Sequence, residues 1–241
     1  MTKRKIVAAA YDQKAAYDLA MSFARAGLSV EIWNGKVCLQ ESTAQVSIYN
    51  LESFFMHPDE EYACVKALFR NIPDDTICFM KTDSSLRGNV ASELAALRDA
   101  RGVETLIFVP AFPQGGKFTK SGIQYQKIGG TTSKLLDVAE RIRCFSNLNV
   151  SFGPLHALKK DFQGVFVVDC TSEPEFNDIL RELGACLPTA LAGSSAFAGG
   201  IAKQIMGSNA GAVLFGSEIA VMQDGKRGIL LTDPLNWEER S

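Results

Sequence analysis

The run Lys81-Thr82-Asp83-Ser84-Ser85-Leu86-Arg87-Gly88-Asn89 concentrates groups able to hold a small ligand. Lys81 and Arg87 suit a carboxylate, Arg87 through a two-pronged fork. Asp83 can accept from a ligand hydroxyl, Ser84 and Ser85 are short donors, and Gly88 lets backbone approach a ligand closely. Asn89 is a good helix N-cap, with the positive end of the dipole behind it. Together these groups suit a small anion bearing several hydroxyls. The competing reading is a capped turn in which Lys81, Asp83 and Arg87 neutralise one another. Residue types alone do not separate the two.

Two further segments put polar residues after apolar runs. In Pro110-Ala111-Phe112-Pro113-Gln114-Gly115-Gly116-Lys117-Phe118-Thr119, the Gly-Lys pair faintly resembles a P-loop. That motif needs glycine where Ala111 stands and a hydroxyl residue where Phe118 stands, so it is rejected. What remains is a stiff loop that offers Lys117 and Thr119 to a ligand, or a plain surface loop. Gly193-Ser194-Ser195-Ala196-Phe197 approaches a nucleophile elbow but has Phe197 in place of the last glycine. The two histidines, His57 at a Pro boundary and His156 in an irregular stretch, are not placed as a catalytic base. A ligand- or phosphate-facing helix N-terminus at Ser194 is therefore the better functional reading there. Asp169, ending an apolar run, is either another ligand-facing group or a cap.

The elements that must position these residues follow from periodicity. Lys5–Ala9, Ser29–Trp33, Gln45–Asn50, Thr76–Met80, Thr105–Val109, Gly164–Asp169, Thr189–Ala192 and Ala212–Phe215 read as strands. Lys14–Ala26, Pro58–Asn71, Asn89–Arg101, Glu173–Leu183 and Ala196–Met206 read as helices. Gly27 stops the first helix, and the second is acidic in its first turn, as the dipole prefers. Strands alternating with helices of this length predict βαβ crossovers. The expected fold is an α/β, largely parallel, doubly wound (Rossmann-like) sheet with an irregular excursion around residues 110–160. In such a sheet ligands bind beyond the carboxyl ends of the strands, where all three polar segments fall.

Composition narrows the field. The chain has 241 residues, is 46% hydrophobic and 22% charged, and has a formal net charge of −2, which argues against disorder and against a dedicated nucleic-acid binder. No apolar run approaches the ~20 residues of a membrane span. The basic start Lys3-Arg4-Lys5 mimics a signal peptide, but Asp12 and Lys14 cut its apolar part short. Cys38, Cys64, Cys78, Cys144, Cys170 and Cys186 form no C-x-x-C pair, which fits reduced thiols in a cytoplasmic protein rather than disulfides or a metal site.

In this order, Lys81–Asn89, Pro110–Pro113 with Gly116-Lys117-x-Thr119 and Gly122, Val168-Asp169 and Gly193-Ser194-Ser195 resemble the four-carbon acid sugar kinase family. The match K-x-D-S-[ST]-L-R-G-N is the specific part. The resemblance implies an N-terminal sugar-acid-binding domain over residues 1–208. It implies a remnant over 209–241, packed on the first, where Phe215-Gly216-Ser217 with Gln223 is similar to the start of the family's nucleotide-binding domain. It also implies a substrate such as threonate or erythronate, phosphorylated with ATP and magnesium once a separate nucleotide-binding domain is supplied. By this resemblance Asp12, Lys81, Asp83, Ser84, Arg87, Asn89 and Lys117 line the pocket. Asp12 and Asp83 would take hydroxyls, and Lys81, Arg87 and Lys117 would take the carboxylate. Ser194 would face a cofactor, and the chain alone would bind neither nucleotide nor metal. Departures stand at Tyr11, where the family has an acid, at Ala15 for a loop glycine, at Phe54 for an arginine, and at Lys117 for another arginine. The expected partners are a small sugar acid, a separate nucleotide domain and further copies of the chain. Two alternatives stay open: a non-catalytic pseudoenzyme with an interaction or regulatory role, and one half of a split kinase.

Overall fold

The structure is a computed structural model and describes residues 4–34, 42–144, 148–206, 218–223 and 226–231. Each apolar run becomes a short strand, and each 3.6-period segment becomes a helix laid across the sheet. The chain runs β1 (Ile6–Ala10), α1 (Gln13–Arg25), β2 (Val30–Asn34), β3 (Val46–Asn50), α2 (Pro58–Arg70), β4 (Ile77–Lys81), α3 (Val90–Arg101) and β5 (Thr105–Val109). It continues through β6 (Lys117–Lys120), β7 (Ile123–Ile128), β8 (Thr131–Asp137), α4 (Val138–Arg143) and β9 (Val150–Gly153). It closes with β10 (Gly164–Val168), α5 (Glu173–Ala185), β11 (Ala190–Gly193), α6 (Ser195–Met206), β12 (Glu218–Gln223) and β13 (Lys226–Leu231).

The main sheet has the order β13-β12-β2-β3-β1-β4-β11-β5-β10-β9, parallel throughout except for the β12–β13 pair. Its strands are buried on both faces, which is why they read as continuous apolar runs rather than alternating ones. In β4, Ile77 and Phe79 join a core with α1, α5 and α6, while Cys78 and Met80 join a second core with α2, α3 and α4. Phe79 is the hinge of the first core, with Phe23 at 6.4 Å and Phe197 at 6.0 Å between ring centroids. A buried ring of this kind contributes about 1.5–3 kcal/mol through removal of apolar area from water.

The strand order places the site. The chain lays β2 and β3 to one side of β1, then crosses to lay β4 on the other. The loops leaving β1 and β4 diverge at that point, which is where open sheets of this kind form a ligand crevice. Ala10 and Lys81 are paired across it.

The excursion is more ordered, and shorter, than its glycines suggest. β6, β7 and β8 form an antiparallel sheet of their own, and β9 rejoins the main sheet beside β10. A strand was not expected at 150–153, because Val150 to Gly153 is only four residues long and half polar. The small sheet is tied to the end of β10 by paired backbone hydrogen bonds between Thr119 and Cys170, both 2.9 Å. Asp169 reinforces the tie: its carboxylate accepts from the Ser121 and Gly122 amides at 2.8 and 3.0 Å. The predicted strand Ala212–Phe215 and the motif Phe215–Ser217 lie outside the described residues.

Gly116 sets the direction in which β6 leaves the loop. Its φ is +69°, and a Cβ there would stand 2.5 Å from the Lys127 carbonyl oxygen. Gly102 has a similar φ of +60° but open space around it. Gly116→Ala is therefore expected to cost about 2–4 kcal/mol of stability and Gly102→Ala about 1 kcal/mol, as urea denaturation would measure.

Candidate functional site

The site is built around one turn at the end of β4. Asp83 is buried, and its Oδ1 accepts from the Ser85 amide at 3.0 Å, the Arg87 amide at 3.2 Å and Arg87 Nε at 3.0 Å. Its Oδ2 accepts from Arg87 Nη2 at 2.8 Å and from the Tyr11 hydroxyl at 3.3 Å. Burial alone would raise this carboxyl, but the Arg87 and Ser85 hydrogen bonds outweigh it and hold the group at about 2. These bonds also hold Leu86 at φ +58°, a left-handed conformation that costs a non-glycine residue about 1 kcal/mol or more. Strain of this kind persists only where surrounding contacts impose it.

Lys81 does not present its ammonium to a ligand. It is buried, donates to the Thr82 carbonyl at 2.6 Å and lies 5.2 Å from the centroid of the Tyr11 ring. Burial pulls it below the ordinary lysine value, against the pull of Asp83 and Glu93. Tyr11 is thus a lid, with its ring over Lys81 and its hydroxyl on Asp83. Burial and the neighbouring Asp83 keep that phenol protonated, above its ordinary value. Phe54 extends the cover at 5.3 Å from Tyr11, and the Arg87 guanidinium lies over the Phe54 ring at 5.9 Å.

The solvent-facing groups lie one step outward. Arg87 keeps 69% of its side chain exposed, and its Nη1 has no hydrogen-bond partner among the described residues. From the small sheet, Lys117 Nζ donates to Ser84 Oγ at 2.8 Å. Gln124, fixed by Thr119 at 2.7 Å, donates to the Ser84 carbonyl at 3.2 Å. The excursion therefore docks on the Asp83 turn and brings a second cation to the turn that carries Arg87. A cavity of about 340 Å³ opens on the outer side of Lys117, lined also by Phe118, Lys127, Thr132, Thr171 and Glu173.

The remaining expected residues mostly serve the fold. Asp12 is the N-cap of α1, accepting from the Ala15 amide at 2.6 Å, and stays half-buried at the crevice rim. Asn89 stands at the N-cap position of α3 but makes no capping bond. Its amide instead donates to the Met56 carbonyl at 2.8 Å, tying α3 to the loop before α2. Ser194 is buried, donates to the Ala111 carbonyl at 2.7 Å and accepts from the Phe197 amide at 3.2 Å. Its hydroxyl is committed to the protein, which leaves it ill placed to meet a cofactor. Among the described residues no three His, Cys, Asp or Glu side chains gather where an ion could sit. His57 caps α2.

Sequence reasoning missed Tyr11 and Phe54 as lids, and Glu61 and Glu93 as buried acids. The acids had a signal: Glu93 occupies the apolar-face positions of Val90, Leu94 and Leu97, and Glu61 those of Val65, Leu68 and Phe69.

Residues 10–142, more than half of the chain, match the family described as the sugar-binding N-terminal domain. The chain belongs to that family. The match is consistent with the N-terminal domain of the four-carbon acid sugar kinases. No curated protein matches. Solved structures share the fold of this sugar-binding domain. A Bordetella bronchiseptica domain of unknown function (DUF1537), a domain-swapped dimer with bound citrate, is 21% identical. It covers 83% of this chain and 55% of its own, with a TM-score of 0.65. A Haemophilus influenzae protein of the same family is 17% identical over 83% of this chain and 56% of its own, TM-score 0.69. A Salmonella typhimurium LT2 protein is 16% identical with a TM-score of 0.70, at 83% and 55% coverage. The sugar-binding domain described here thus spans little more than half the length of these relatives.

Asp83→Asn in this domain would keep the shape of the turn but remove the charge that Arg87 and Tyr11 address. A loss of about 1–3 kcal/mol in urea denaturation at pH 7 is expected. The depressed Asp83 value stabilises the folded state above the unfolded carboxyl value, near 4, and that stability is lost as pH falls toward 2. The variant should therefore lack this part of the acid transition.

Proposed function

We propose that this chain binds a short sugar acid of the four-carbon aldonate class, threonate- or erythronate-like, as the acceptor half of an ATP-dependent sugar acid kinase. The observation that carries the reading is the Lys117–Ser84 hydrogen bond at 2.8 Å, which brings a distant cation onto the turn that displays Arg87. A carboxylate would lie between Arg87 and Lys117, with Arg87 offering its uncommitted Nη1. The hydroxyls of a short chain would then meet Ser84, Ser85 and Asp12 along the rim. Lys81 and Asp83 act beneath as support rather than as direct contacts. The citrate of the Bordetella protein, a small hydroxy acid, belongs to the chemical class this rim suits.

ATP and magnesium would come with a separate nucleotide-binding domain of the kind the family resemblance implies. Phosphoryl transfer needs such groups to neutralise the moving charge. The free thiols Cys64, Cys78, Cys144, Cys170 and Cys186 fit a cytoplasmic setting, and no helix among the described residues is long and apolar enough to cross a membrane. A homodimer is proposed by analogy with the Bordetella assembly.

A second reading, a non-catalytic binding or regulatory protein, is favoured by the aromatic lid. Tyr11 and Phe54 cover Lys81 and Asp83, which a catalytic pocket would be expected to leave open.

Calorimetry with threonate, erythronate, related aldonates and citrate tests the proposal. A Kd between about 1 μM and 1 mM is expected for at least one of them, with Arg87→Ala and Lys117→Ala each weakening it about 10–100-fold. No heat with any member overturns sugar-acid binding. Binding without phosphorylation when a nucleotide domain of the family is added favours the second reading.

A further inference from the structure

The small sheet of β6, β7 and β8 has two faces, and the site described above uses one of them. Residues paired across antiparallel strands, and residues two apart along a strand, share a face. Thr119 and Gln124, both fully buried, belong to the face that docks on the Asp83 turn. The register pairs Phe118 with Tyr125, Tyr125 with Lys134 and Lys127 with Thr132, which places these five on the opposite face. There the Phe118 and Tyr125 rings stack at 5.2 Å and 12°, while Lys127, Thr132 and Lys134 are exposed.

This outer face is cationic and not neutralised. Residues 117–137 carry Lys117, Lys120, Lys127 and Lys134 against one acid, Asp137, in a chain whose net charge is −2. None of these lysines forms an ion pair among the described residues. The carboxylates close to the small sheet are committed elsewhere. Asp137 caps α4 by accepting from the Glu140 amide at 2.9 Å, Asp169 accepts from the Ser121 and Gly122 amides, and Glu173 accepts from Gln114 at 3.1 Å.

The cavity of about 340 Å³ lies where this face meets the β10–α5 loop. It is about ten times the roughly 30 Å³ share of one water, too large for a bare ion, and it falls at the lower end of small-molecule sites. Phe118, braced by Tyr125, supplies an apolar stretch of wall, and Lys127, Thr132 and Ser172 supply polar groups. Ser172 Oγ accepts from the Glu175 amide at 3.4 Å, which leaves its O–H proton to donate. The donor set selects among anions. A carboxylate carries one charge and is met best by a guanidinium fork, and no arginine lines this cavity. A phosphate ester carries about −1.5 to −2 at pH 7 on three acceptor oxygens, which suits separate ammonium and hydroxyl donors.

We propose that this cavity binds a small organic phosphate, its phosphate on Lys127, Thr132 and Ser172 and its carbon portion against Phe118. Lys117 borders the cavity and also donates to Ser84, so the site adjoins the Arg87 rim without using Arg87. The proposal goes beyond the sugar-acid reading and does not depend on it.

Calorimetry on the full chain with glycerol 3-phosphate, a phosphorylated four-carbon sugar acid, adenosine monophosphate and inorganic phosphate tests it. At least one ester should bind with a Kd of about 10 μM to 1 mM, and at least about fivefold tighter than inorganic phosphate. Lys127→Glu should weaken that ester about 10–100-fold, and Glu173→Gln should tighten it about 2–5-fold by removing a like charge. Both side chains are exposed, so both variants should melt as the native chain does. Phe118→Leu should weaken the ester more than inorganic phosphate, and Arg87→Ala should change neither. A preference for adenosine monophosphate assigns the phosphate to a nucleotide, and a preference for the phosphorylated acid assigns it to a sugar; either supports the site. Esters that bind no better than inorganic phosphate, or native affinity in Lys127→Glu, overturn it. Failure of the aldonates overturns only the sugar-acid reading, because the phosphate esters report on a cavity that Arg87 does not line.

Discussion

A single desolvated carboxylate organises the mouth of this sheet. Asp83 would be costly to bury unpaired, so the turn after β4 folds around it, donating two backbone amides and a guanidinium fork. The same bonds impose the left-handed backbone at Leu86 and aim Arg87 outward, and they fix the side of the turn on which Ser84 meets the arm. The arm's position, and with it Lys117, is a consequence of that turn. Asp83 also commits two of the three Arg87 nitrogens, so it builds the cationic rim and limits what the rim can offer a ligand.

Two aromatic side chains move the site outward. The resemblance to sugar acid kinases sets an acid and an arginine where this chain has Tyr11 and Phe54. Their rings replace fixed charges with π faces, over which Lys81 and Arg87 rest at 5.2 and 5.9 Å. Such contacts are worth about 0.5–2 kcal/mol, and at Lys81 the Tyr11 ring adds to the Thr82 carbonyl bond in partly offsetting burial. The polar groups nearer solvent are then those of Arg87, Ser84 and Lys117, while Lys81 and Asp83 are buried beneath. Below them Glu61 and Glu93 occupy positions that periodicity reserves for apolar residues, and the Ser53–Glu61 hydrogen bond ties α2 to the β3–α2 loop.

Much of the architecture was legible because burial on both faces leaves a plain mark. Runs such as Ile77–Met80 and Val165–Val168 have no polar alternation, and the helices between them show one apolar stripe each, so a parallel sheet covered on both sides follows. β9 escaped because a four-residue edge strand with Ser151 and an exposed Phe152 has no such mark. The motif Lys81–Asn89 announced a chemically dense turn at a strand end, which the fold bears out in its place at the crevice.

The sequence by itself determined the α/β class, the strand-end location of the polar segments and the family to which the motif belongs, since these depend on local periodicity and on a short contiguous run. Only the tertiary structure decided which polar groups face water. Lys81, Asp83, Asn89 and Ser194 are polar by type, yet each finds its partners inside the protein, at Thr82, Arg87, Met56 and Ala111. Lys117, 30 positions beyond Arg87 in the chain, reaches Ser84 on the turn that carries Arg87 because Thr119 and Asp169 pin the arm to β10. A side chain's chemistry is written in its residue type, but its availability depends on which neighbours reach it first, and those neighbours are assembled by strand order rather than by chain order.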